Sequence, residues 1–78
     1  NPLRGAAAAT LGFRLDQSSH VRVTLLDAAG RILSILREEQ TPPGEHHLRV
    51  SLADRPAGMY FIEVRRGGTI SIARLLKQ

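Results

Sequence analysis

Pro56-Ala57-Gly58-Met59-Tyr60-Phe61-Ile62-Glu63-Val64, then Arg65-Arg66-Gly67-Gly68, then Thr69-Ile70-Ser71-Ile72-Ala73-Arg74-Leu75-Leu76-Lys77-Gln78, is the stretch that decides how this chain folds. Tyr60, Ile62 and Val64 alternate with Phe61 and Glu63, the period of a strand with one buried and one wet face. Pro56-Ala57-Gly58 supplies a turn ahead of it. Gly67-Gly68 suits a two-residue hairpin loop behind it. The reading is a β-hairpin whose second strand finishes on Arg74-Leu75-Leu76-Lys77.

The same period runs upstream. Leu11, Phe13 and Leu15 alternate with Gly12 and Arg14; Val21, Val23 and Leu25 with Arg22 and Thr24; Leu48 and Val50 with Arg49 and Ser51. Asp16-Gln17-Ser18-Ser19, Asp27-Ala28-Ala29-Gly30, Thr41-Pro42-Pro43-Gly44 and Asp54-Arg55-Pro56-Ala57-Gly58 break the runs. Asp can bond the backbone ahead of it, and Gly accepts positive φ, so these segments turn the chain. One stretch is ambiguous. Ile32, Leu33, Ile35 and Leu36 fit helical spacing, but the segment is short and lies between two turn signals. We read Ile32–Leu36 as a strand. Six or seven short strands with short links leave no room for parallel crossovers. The predicted fold is all-β: a small antiparallel β-sandwich of immunoglobulin type. Leu11, Phe13, Leu15, Val21, Val23, Leu25, Leu48, Val50, Tyr60, Ile62 and Val64 are the predicted core.

Composition narrows the function. The 78 residues allow one small domain, residues 1–78, with little core in which to sink a catalytic cleft. Cysteine is absent, which removes disulfides and thiolate ligands. No apolar run approaches the ~20 residues of a membrane helix, so no membrane span is expected. The chain opens on Asn1-Pro2, and we read it as a module of a longer protein. The net charge is +4, carried almost wholly by arginine. The arginines are scattered and only Phe13, Tyr60 and Phe61 are aromatic. Nucleic-acid binding asks for clustered cations with stacking platforms, so none is expected.

Candidate sites follow from the same residues. Gly58 and Tyr60 fit a positive-φ turn followed by a core tyrosine whose hydroxyl finds a backbone partner. In the tail, Ile70, Ile72 and Leu76 share a parity that includes Arg74. A charge inside an apolar set predicts a bulge or a strand leaving the sheet, an edge that can pair with another chain. Leu26, Met59 and Phe61 fall on the parity opposite the core and form a candidate exposed interface. His46 and His47 are adjacent, so a regular strand sends them to opposite faces. With His20 they offer no metal-ligand spacing, and no metal or other cofactor is expected. Asp16, Ser18, Ser19 and His20 crowd one polar turn without an oxyanion-hole motif, so no catalytic residue and no enzyme activity is expected.

The ordered set of motifs resembles a family. Asn1-Pro2, Leu11-Gly12-Phe13-Arg14-Leu15, Val21 through Arg31, Pro43-Gly44-Glu45-His46, Pro56-Ala57-Gly58-Met59-Tyr60 and the basic-apolar tail Arg74-Leu75-Leu76-Lys77 stand in the order of the carboxyl-terminal sorting domain of the type IX secretion system, found in Bacteroidetes-like bacteria. The resemblance covers nearly the whole chain. It implies a signal rather than a catalyst. A cargo domain would precede the module, secretion machinery would carry it through the periplasm and across the outer membrane, and a sortase-like surface peptidase would act on it. The cargo would be secreted or held at the cell surface. Gly58, Tyr60, Arg74, Leu75, Leu76 and Lys77 are the positions that the resemblance marks for sorting. Arg55 departs from the family, where an apolar residue is usual; Leu26 replaces a common Tyr and Arg74 a common Lys. The competing reading is a spacer, adhesive or carbohydrate-binding sandwich of a modular extracellular enzyme. Sugar platforms want aromatics, and two of the three here alternate inward.

Overall fold

The computed structural model describes residues 8–78. Asn1-Pro2, Arg4 and the first alanines of the Ala6–Ala9 run lie outside them. Six strands follow in order: β1 (Ala8–Leu15), β2 (Ser19–Asp27), β3 (Ile32–Thr41), β4 (Gly44–Ser51), β5 (Gly58–Arg66) and β6 (Thr69–Lys77). They form two antiparallel sheets, a two-stranded β1-β4 and a four-stranded β3-β2-β5-β6. This is the small all-β sandwich expected from the alternation. Both sheets turn apolar residues inward, and the chain changes sheet after β1, β3 and β4.

The turns form for the reasons their residues suggest. Asp27 Oδ1 accepts from the backbone N–H of Ala29 and of Arg31, each at 2.9 Å, and Oδ2 accepts from Arg31 Nε at 2.9 Å. Gly30, at φ 85°, closes the turn by donating to the Asp27 carbonyl at 2.9 Å. Those bonds favour the carboxylate, so the Asp27 carboxyl is held below its ordinary range, first by the Arg31 backbone and then by the Arg31 side chain. At the β5–β6 loop Arg66 pairs with Thr69. Of the two loop residues only Gly67 has positive φ, at 59°, the pattern of a type II′ hairpin turn.

Strand β3 carries two β-bulges, which explains its ambiguous sequence. The register jumps from Val23↔Arg37 to Thr24↔Ile35, and from Leu25↔Ser34 to Leu26↔Ile32. Leu36 and Leu33 are the two extra residues, and both pack against the core while Ile32 and Ile35 are exposed. Three-residue spacing of apolar pairs therefore arises here from bulges in a strand. The strand also runs on past Leu36 to Thr41, whose buried hydroxyl donates to the Glu39 carbonyl at 3.2 Å.

The core comprises Leu15, Val21, Val23, Leu25, Val50, Leu52, Tyr60, Ile62, Val64 and Leu75. Three expected members, Leu11, Phe13 and Leu48, are only half-buried. Two strands cannot cover four. The flank between β1 and β6 stays open as a groove of about 400 Å³, lined in part by Leu11, Phe13, Ser71 and Ala73. Arg66 spans that flank, donating to the Arg14 carbonyl at 3.1 Å and to Ser71 Oγ at 3.3 Å. Leu52 and Leu75, absent from the expected core, are buried instead.

Candidate functional site: the carboxyl-terminal hairpin

Gly58 opens β5 at φ 149°, a conformation that side chains rarely adopt, which fixes the turn out of Pro56-Ala57. Tyr60 then plunges into the core, and its hydroxyl donates to the Pro56 carbonyl four residues upstream. This is the arrangement of a tyrosine corner. Gly58 and Tyr60 thus act together as a structural unit that ties the β4–β5 connection to the start of β5.

Strand β6 contradicts the tail expectation in one respect. It pairs with β5 from Gly58↔Lys77 to Arg66↔Thr69 without a register shift. No bulge is needed, because the apolar set containing Arg74 is the solvent face. Ile72 is 62% exposed, and Ile70 and Leu76 are exposed with it. The buried parity is the other one: Ala73 packs against the core, and Leu75 is 7% exposed. The cause lies in the turn. The tight Gly67-Gly68 loop locks Arg66 to Thr69, so the inward residues Val64, Ile62 and Tyr60 lie opposite Ser71, Ala73 and Leu75. As expected, β6 is an edge strand.

Lys77 is not a free charge. Its ammonium donates to the carbonyls of Leu52 at 2.8 Å, Ala53 at 3.2 Å and Arg55 at 2.5 Å. All three of its donors are satisfied. The Arg55 N–H donates in turn to the Leu52 carbonyl at 2.9 Å. The last strand therefore clamps the β4–β5 connection, and Arg55 enters that clamp through its backbone, whatever its side chain. Of the four tail residues, Leu75 and Lys77 hold the fold, and only Arg74 and Leu76 face solvent. Removing Arg74–Gln78 would take away a core side chain and the clamp together, so it perturbs folding as well as any recognition.

Leu26, Met59 and Phe61 come together. Leu26 lies directly across from Phe61, and Met59 is two residues along the same face of β5. Sequence reasoning missed how far the patch extends. Leu26 also pairs with Ile32, Phe61 with Arg74, and Met59 with Leu76. The signal was present: Ile70, Ile72 and Leu76 share a parity with Phe61 across the hairpin, once the turn fixes the register.

Elsewhere on this face the charges are matched. Glu38 meets Arg22 at 3.2 Å and His20 at 3.1 Å, and Glu63 meets Arg65 at 3.1 Å. The Glu38 carboxyl is held low, first by the His20 hydrogen bond and then by that of Arg22. His46 stacks on Phe13 with ring centroids 5.6 Å apart and bonds the Pro42 carbonyl at 2.7 Å. Among the described residues no three His, Asp or Glu side chains are arranged to hold a metal. Among them no helix is long and apolar enough to cross a membrane. No family model, curated protein or solved structure matches the chain.

Proposed function

We propose that this domain is a non-catalytic carboxyl-terminal signal that directs a cargo protein through the type IX secretion system to the cell surface. The observation that carries the reading is the ordered set of motifs, from the Leu11–Leu15 strand to the Arg74-Leu75-Leu76-Lys77 tail. Their geometry supports it: the tail is folded as an edge strand that offers alternate residues to solvent. A signal of this kind needs a stable shape and a readable surface, not a cleft. The partners on this reading are the secretion machinery and a sortase-like surface peptidase. The cargo lies ahead of the module.

The test is a reporter. Residues 1–78 are fused behind a fluorescent protein and expressed in a host with the type IX apparatus. Surface labelling is expected to find the reporter on the cell surface or in the medium. A reporter retained inside the cell would overturn the proposal.

A further inference from the structure

The outer face of the four-stranded sheet is only in part the polar surface that an antiparallel sheet usually turns to water. Met59, Ile70, Ile72 and Leu76 are exposed on the β5–β6 half of it, around the half-buried Phe61. Together, with Arg74 among them, they present an apolar patch, the kind of exposed surface that often marks an interaction site. The patch lies beside an edge strand, so an approaching surface meets no neighbouring strand on that side.

Charge marks it further. Arg22 and Arg65 on this sheet face are neutralised by Glu38 and Glu63. Arg74 is not: among the described residues it makes no ion pair, and it stands opposite Phe61 with Ile72 and Leu76 on either side along β6. A guanidinium ringed by apolar side chains suits a carboxylate on an otherwise apolar partner, where exclusion of water strengthens the pair. Two copies stacked on this face would bring their unpaired cations to one interface without a free carboxylate to receive them, since the two carboxylates of the face, Glu38 and Glu63, are already paired with Arg22 and Arg65.

Resting on the signal reading, we infer that the outer face of the β5–β6 hairpin is the docking surface. Its occupant is a partner protein that presents apolar side chains around a carboxylate. Arg74 reads that carboxylate. Met59, Phe61, Ile72 and Leu76 supply the apolar contact. Leu75 and Lys77 act only by holding the strand in register.

The reporter fusion tests this residue by residue. Ile72→Asp and Arg74→Glu are expected to lower surface signal at least tenfold, with melting temperatures within a few degrees of the parent. Ile72→Gln, milder for a strand, is expected to lower it several-fold. Arg74→Lys is expected to keep it, as is Ile35→Asp on the β3 half of the same face. Delivery of the parent together with full delivery of Ile72→Asp and Arg74→Glu would overturn the docking surface alone. Equal loss in Ile35→Asp would also overturn it, because the hairpin would not be special. A parent that is never delivered sinks the signal reading and this inference with it. Two further results would assign the face to another occupant and overturn it: a dimer of the 78-residue chain in sedimentation that Ile72→Asp dissolves, or flotation with phosphatidylglycerol vesicles that Ile72→Asp abolishes.

Discussion

The two faces of the four-stranded sheet are built from the same strands but obey different rules. The inner face carries Val21, Val23, Leu25, Tyr60, Ile62, Val64 and Leu75, all buried. The outer face carries Leu26, Phe61, Ile70, Ile72 and Leu76 among charged residues such as Arg22, Glu63, Arg65 and Arg74, with no sheet against it. On β6, where both parities are apolar, side-chain chemistry alone does not separate the faces. The second sheet does, by covering one face only. A residue's contribution to stability therefore depends on its parity, even between neighbours as alike as Leu75 and Leu76.

The largest expected effect breaks that comparison at the core. Leu25→Ala or Ile62→Ala is expected to cost about 2–5 kcal/mol, from lost burial and the cavity left behind. That is a large share of the ~5–15 kcal/mol typical of a small domain. Ile72→Ala on the outer face is expected to stay within about 0.5 kcal/mol. Urea titration of the three variants checks it; equal losses would mean that the outer face is covered in solution.

A smaller effect separates the two cations of the tail. Lys77→Met removes an ammonium bonded to three carbonyls and is expected to cost about 1–3 kcal/mol. Arg74→Gln, with no partner to lose, is expected to leave melting nearly unchanged. If both variants melt alike, the clamp contributes nothing. Tyr60→Phe comes next. It leaves the Pro56 carbonyl without its hydroxyl partner, and about 1 kcal/mol is expected in the same titration.

The smallest effect is pH-dependent. The folded state lowers the Asp27 and Glu38 carboxyl pKa values through hydrogen bonds to the charged form. Their contribution is complete above the ordinary carboxylate range near pH 4, and it is lost as pH falls through the lower folded-state values. Melting temperature is expected to drop on acidification below about pH 4. Asp27→Asn is expected to melt below the parent at pH 6, with the gap closing towards pH 2. A gap that stays constant with pH would show that the turn, not the charge, is responsible.

Strands with apolar residues on a single parity were legible from sequence. Val21, Val23 and Leu25 alternate with Arg22 and Thr24, and their burial follows at once. The Asp27–Gly30 and Gly67-Gly68 turns were legible too, because their chemistry is local. Leu52 was not, since it stands outside any run, yet it is wholly buried in the link between β4 and β5. The candidate site was half legible: the hairpin and the cluster of Leu26, Met59 and Phe61 could be read, but the roles of the tail residues could not.

By itself, then, the sequence determined the strands, the turns between them and the all-β class, because alternation and turn chemistry act over a few residues. Tertiary structure alone decided which side of an ambiguous strand faces the core. Strand β6 has apolar residues on both parities, and only its register against β5 sends Leu75 inward and Ile72 out. The Ile32–Leu36 stretch of β3 reads as a strand although its apolar spacing also fits a helix, and only two bulges against β2 turn Leu33 and Leu36 to the core. Lys77 looks like an exposed tail charge until the fold brings three carbonyls from more than twenty residues away to its ammonium. Each of these outcomes depends on a partner distant in the chain, and local pattern carries no record of such partners.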